Sequence, residues 1–134
     1  MNDQSIPFGK HFMFDGYGCA RQALESEQTL RRLLEDIPRD LDMHPISEPL
    51  IVSVGPNNKK DPGGLSGFVL IAESHISIHT FPRRGFVTAD VYSCQDDLDG
   101  VRLEHAFTKA LGATSCETFE VIRGRHYPAA DVED

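Results

Sequence analysis

Residues 72–85, "AESHISIHTFPRRG", concentrate reactive side chains. Glu73 and Ser74 stand side by side, and His75, Ser77 and His79 follow at alternate positions. One chemistry open to such a set is metal binding. On a helix, His75 and His79 would suit a single ion, but in a strand they sit roughly 13 Å apart at about 3.3 Å per residue. Ile76, Ile78 and Thr80 are β-branched and favour the strand. The two histidines therefore do not share one ion, and no metal is expected. A purely structural strand, apolar on one face and solvated on the other, is the common alternative. Against it stands the density of reactive types, with Ser66 and Cys94 on the neighbouring segments.

A third chemistry open to these residues is self-cleavage, and the residues alone do not choose among the three. The hydroxyl of Ser74 can add to the carbonyl of Glu73 and convert the amide to an ester. Loss of the Ser74 α-proton then expels Glu73 as a carboxylate, and loss of ammonia leaves a pyruvoyl group at position 74. A base is needed, for which His79 is the candidate. A donor to the developing oxyanion is needed too, for which Ser66 is the candidate. The peptide at the break should be strained, so face alternation is not carried across residues 73–75.

These residues need a scaffold. Residues 10–19 have strand composition and end at Gly16 and Gly18. Residues 20–41 read as a helix from the spacing of Leu24, Leu30, Leu33, Leu34 and Ile37, with a break near Glu25 or Ser26 and an end or distortion at Pro38. Residues 49–55 read as a strand, 56–64 as a loop, 65–82 as extended throughout, and 85–94 as a strand. Residues 96–113 read as a helix with a stripe of Val101, Ala106, Phe107, Ala110 and Leu111, stopped by Gly112. Residues 114–126 close as a strand, and the polar tail from Tyr127 is expected to fray. Short turns such as Pro82–Gly85 suit antiparallel hairpins. The expected fold is α+β: a two-layer sandwich with helices packed on one face of an antiparallel β-sheet.

The chain of 134 residues fits a single domain, 1–134. No apolar run approaches a membrane span, and the N-terminal stretch lacks a secretion layout, so a cytoplasmic protein with no membrane partner is expected. Cys19, Cys94 and Cys116 are an odd, widely spaced set that forms neither a disulfide framework nor a paired zinc motif. Cys19 and Cys116 read as small buried hydrophobes. A net charge of −8 argues against nucleic acid as partner and favours a cationic small-molecule substrate.

"AESHISIHTFP", with "ADVYSC" downstream and "GKHFMFDGYGC" near the start, resembles the pyruvoyl-dependent S-adenosylmethionine decarboxylase proenzymes in their short bacterial and archaeal form. The resemblance covers nearly the whole chain, and "AESHISIHT" is its most specific part. It implies self-cleavage into residues 1–73 and 74–134, with Ser74 becoming the pyruvoyl cofactor and neither a metal nor pyridoxal phosphate required. Ser66 and His79 match the family's processing residues, and Cys94 its catalytic proton donor. The implied reaction runs through a Schiff base between substrate amine and pyruvoyl, yields decarboxylated S-adenosylmethionine, and serves polyamine synthesis. The resemblance also implies a homodimer, or a higher homo-oligomer, with sites between chains.

Two positions depart from the family. Its Trp before Pro is Phe81 here, and its acid after Pro is Arg83. Both are candidate substrate-binding residues. An acid suits ribose hydroxyls or a sulfonium, whereas an Arg suits a carboxylate. A pyruvoyl-dependent arginine or ornithine decarboxylase on the same scaffold is therefore the alternative enzyme. A non-processing regulatory homologue is the alternative of another class; it is disfavoured by the intact Glu73, Ser74, His79 and Cys94.

Overall fold

In the computed structural model, residues 6–128 are described. The first residues of the N-terminal stretch and most of the polar tail, 129–134, lie outside them. Six strands make one antiparallel sheet: β1 (Gly9–Tyr17), β2 (Leu50–Val54), β3 (Gly64–Ile71), β4 (Ser74–Phe81), β5 (Phe86–Ser93) and β6 (Ser115–Arg123). Their order across the sheet is β2-β3-β4-β5-β1-β6. Three helices, α1 (Arg21–Leu24), α2 (Glu27–Asp40) and α3 (Gly100–Leu111), cover one face. This is the expected α+β two-layer sandwich.

Alternation along the strands decides what the helices cover. Phe12 and Phe14 of β1, Val69 and Ile71 of β3, Ile76, Ile78 and Thr80 of β4, and Val87, Ala89 and Val91 of β5 are all buried on the helical side. In α2, Leu30, Leu33, Leu34 and Ile37 recur at helical spacing and are buried against them. The break before α2 falls where Ser26 turns extended and its Oγ accepts the Thr29 N–H at 3.1 Å, an N-cap. Pro38 does not end the helix, which runs on to Asp40. In the last turn, its missing N–H removes one intrahelical bond only. In α3 the buried stripe is Leu103, Phe107 and Leu111, whereas Val101 is 81% exposed. Asp99 caps this helix by accepting the Arg102 N–H, which sets its phase and turns Val101 outward.

Residues 65–82 are not one extended run. They fold into the β3–β4 hairpin, with Ile71 paired to Ser74 and only Ala72 and Glu73 between. Neither residue is a turn former, so turn chemistry gave no signal there. The next hairpin, β4–β5, turns through a 3₁₀ segment at Pro82–Arg84 and Gly85 at φ 61°, as the sequence suggested. Among the described residues, no helix is long and apolar enough to cross a membrane.

Candidate active site

Two-residue hairpin turns that match strand twist place their first central residue at positive φ. Neither Ala72 nor Glu73 does so; the deviation falls on Ser74, at φ 155°. Ser74 and Asp42 are the non-glycine residues at positive φ among those described. The Glu73–Ser74 peptide is thus strained on its Ser side, and such strain persists only where the surroundings hold it. Ser74 is half-buried and pairs across β5 with Ser93. That pairing brings the next residue, Cys94, beside the turn, where its backbone N–H donates to the Glu73 carbonyl at 3.1 Å. A donor already aimed at this carbonyl stabilises negative charge that develops on its oxygen.

The Glu73 side chain is held as well. The backbone N–H of His44 donates to one carboxylate oxygen at 3.0 Å and His44 Nδ1 to the other at 2.6 Å. Burial alone would raise the Glu73 pKa, but the His44 bonds outweigh it and hold the carboxyl below its ordinary value.

Ser66 and His79 pair across β3 and β4, with Ser66 Oγ and His79 Nδ1 hydrogen bonded at 2.9 Å. They are not at the Glu73–Ser74 peptide. His79 lies five residues on from Ser74 along the strand, roughly 16 Å at the usual rise. Within one chain, then, the two groups identified from the sequence stand apart: Glu73, Ser74 and Cys94 at one end of β4, Ser66 and His79 toward the other. Phe81, beyond His79, stacks on Phe86 at 5.7 Å between centroids. Arg83 follows in the exposed turn.

Between these ends the open face carries a polar cluster. His11 of β1 and Ser77 of β4 both bond to Asp90 of β5, one to each carboxylate oxygen. Arg123 Nη1 donates to His11 Nδ1 at 3.3 Å, leaving Nε2–H to donate to Asp90. The Arg123 guanidinium also lies 4.3 Å from the centre of the Tyr92 ring. His75 Nε2 is 3.9 Å from Asp90, so its neighbours are His11 and Asp90 rather than His79. Ligand atoms of His11, His75 and Asp90 lie within 4.8 Å of one another, the spacing a cation would need. Hydrogen bonds already occupy both oxygens of Asp90. A cavity of about 480 Å³ opens beside this cluster, between Met13, Asp15, Ser77, His79, Asp90 and Phe119.

His11, His44, Asp90, Tyr92 and Arg123 were not singled out from the sequence. Asp90 carried a usable signal, since it stands between Ala89 and Val91 in a strand and so marks the polar face; His11, between Lys10 and Phe12, carried a weaker one. His44 carried none: it lies in a loop and meets Glu73 only through the tertiary fold.

Comparison with known proteins bears on this geometry. The family model described as S-adenosylmethionine decarboxylase matches residues 10–124. The S-adenosylmethionine decarboxylase proenzyme of Pyrobaculum arsenaticum is 37% identical over 114 residues, 85% of this chain and 86% of that one. The proenzyme of Archaeoglobus fulgidus is 32% identical over 120 residues, 89% of this chain and 93% of that one. The crystal structure of the adenosylmethionine decarboxylase from Aquifex aeolicus superposes with a TM-score of 0.73 at 30% identity, covering 88% of this chain and 92% of the other. With sequence and fold agreeing over nearly its whole length, the chain belongs to the S-adenosylmethionine decarboxylase family.

Proposed function

We propose that the chain is a proenzyme that cuts itself between Glu73 and Ser74 into residues 1–73 and 74–134, and then decarboxylates a small cationic substrate, S-adenosylmethionine. The observation that carries this is the Glu73–Ser74 peptide itself: Ser74 at φ 155°, with the Glu73 carbonyl already accepting a hydrogen bond from Cys94. Ser74 Oγ adds to that carbonyl carbon and gives its proton to a base. The C–N bond breaks as the amide nitrogen takes up a proton, so the amide becomes an ester. Removal of the Ser74 α-proton then breaks the ester C–O bond and releases Glu73 as a carboxylate. Water replaces the nitrogen, ammonia leaves, and position 74 is a pyruvoyl group. Seated there, that group supplies a carbonyl electron sink for decarboxylation. Cys94, whose backbone meets the same turn, returns a proton to the substrate carbon on this reading. Mass spectrometry of the purified protein tests the cut. It should find one chain ending at Glu73 and another beginning with a blocked residue 74; a lone intact chain after long incubation defeats the proposal.

The base comes from a second copy of the chain. His79 stands roughly 16 Å from Ser74 along its own strand, too far to take the proton. The open face also exposes Leu50, Val52, Val54, Phe68, Leu70, Phe119 and Val121 around the polar cluster, between 37% and 61% each. Extensive exposed apolar surface of this kind marks an interaction face. A two-fold dimer through this face can lay the Ser66–His79 end of one protomer over the Ser74 turn of its partner. The three cysteines are free, which suits the reducing conditions of a cytoplasmic enzyme.

A second substrate reading rests on Arg83, whose exposed guanidinium makes no hydrogen bond among the described residues. Arginine or ornithine would offer it a carboxylate. A charged hydrogen bond is worth about 1.5–3 kcal/mol, and about 1.4 kcal/mol is tenfold. If the substrate is a basic amino acid held by Arg83, Arg83→Glu should lower its kcat/KM by about tenfold or more. If the substrate is S-adenosylmethionine, Arg83→Glu should raise that kcat/KM instead. Assaying both substrate types on wild type and variant decides between them, and a ratio that does not move makes Arg83 a plain turn residue.

A further inference from the structure

A hairpin turn of Ala72 and Glu73 does not hold itself. Neither residue adopts the positive φ that fits a two-residue connection, and neither side chain belongs to the usual turn formers. What holds it comes from the loop between α2 and β2. The His44 carbonyl accepts the Ala72 N–H at 2.7 Å. Its own N–H and its Nδ1 take the two oxygens of the Glu73 carboxylate, at 3.0 and 2.6 Å. One residue thus makes three hydrogen bonds to the two residues of the turn. The loop is itself anchored. Asp42 adopts the left-handed conformation at φ 57°, and Gln95 Nε2 donates to the carbonyls of Leu41 and Asp42, both at 3.1 Å. Gln95 directly follows Cys94, whose N–H holds the Glu73 carbonyl. The loop, the turn and the end of β5 therefore form one closed brace around the Glu73–Ser74 peptide.

An exposed His–Glu pair is ordinarily worth little. Here the Glu73 side chain is only 14% exposed and is gripped at both oxygens, so its position is fixed although the His44 ring is open to solvent. With the carboxylate pinned on the loop side and the carbonyl pinned by Cys94, the acyl half of the scissile peptide has no freedom to turn. The strain is left on Ser74, the residue that must attack.

We infer that His44 is a positioning residue for self-cleavage: its ring fixes the Glu73 side of the scissile peptide so that Ser74 Oγ approaches the carbonyl carbon. The inference rests on the proposed cut between Glu73 and Ser74. It concerns the first step, in which the C–N bond is exchanged for a C–O bond, and not the later elimination.

The test uses full-length precursor, followed by denaturing gel and mass spectrometry over time. His44→Ala keeps the backbone bonds and removes the ring donor, and should slow cleavage by about tenfold or more, the weight of a hydrogen bond to a charged group. His44→Asn returns an N–H donor close to the Nδ1 position and should restore a rate near that of wild type. Hydroxylamine cleaves esters but not this amide, so it should leave the slow rate of His44→Ala unchanged if the slowed step is ester formation. Thermal unfolding midpoints for both variants are expected to stay close to wild type. If wild type does not cleave, the proposed function falls and this inference with it. If wild type cleaves and His44→Ala keeps pace, the self-cleavage reading stands and His44 is not a positioning residue. Failure of His44→Asn to restore the rate, or acceleration of His44→Ala by hydroxylamine, likewise overturns the inference.

Discussion

Ser74→Ala is expected to give a single uncut chain with no measurable decarboxylation, while the fold remains intact. Alanine keeps the Cβ and loses the hydroxyl, so nothing attacks the Glu73 carbonyl and no ester forms. Without the ester there is no elimination, and position 74 never gains a carbonyl group. Two functions vanish through one oxygen atom. Stability should hardly change, because Ser74 Oγ makes no hydrogen bond among the described residues and the Cys94 and His44 contacts to Glu73 do not depend on it. Relief of the φ 155° conformation is not expected either, since alanine bears the same Cβ. A gel, an assay and a melting curve on one preparation check all three parts. Cleavage by this variant would move the cut elsewhere in the chain.

Restoration of cleavage by mixing two inactive precursors is the second large effect expected. His79→Ala should abolish or severely slow the cut, because it removes the base from the Ser66–His79 pair. Co-expression of His79→Ala with Ser74→Ala should restore it in part. In a mixed dimer, the His79→Ala chain supplies an intact Ser74 and the other chain an intact His79, so one of the two sites is complete. Cleaved product should derive only from the His79→Ala chain, which a mass tag on either precursor reveals. Were His79 to act within its own chain, the mixture would stay as inert as its parts. The roughly 16 Å of strand between His79 and Ser74 argues for the first result.

Sequence reading reached the layered fold because periodicity survives in single elements. Leu30, Leu33, Leu34 and Ile37 declare a helix face, and Ile76, Ile78 and Thr80 a strand face. It failed where the deciding contact is distant. The Ala72–Glu73 turn has no turn residues because its shape is imposed by His44 and Cys94. Val101 was placed inward because apolar spacing alone does not fix the phase of α3; the Asp99 cap does. The residues of the proposed cut stand out through a specific resemblance, but the separation of Ser66 and His79 from Ser74 does not. The sequence put His79 near Ser74 by number, whereas an extended strand turns that five-residue offset into nearly its full length as distance. The His11–Asp90 contact joins residues 79 apart, and only the β1–β5 pairing reveals it.

The strand order has a bearing on how a cut molecule comes apart and returns. Read along β2-β3-β4-β5-β1-β6, the sheet alternates between segments on either side of position 74. β1 precedes the cut in the chain yet lies between β5 and β6, which follow it, while β3 pairs with β4 across the break itself. The two products of the proposed cut would be interleaved, so neither could leave without tearing hydrogen-bonded ladders on both flanks of β1 and along β3. Nicking should therefore loosen the native molecule very little. It changes the return path: the precursor refolds as a first-order process, whereas the separated pieces must first meet. Unfolding becomes a one-way loss in dilute solution, and the mature protein persists through the height of its unfolding barrier rather than through ready reassembly.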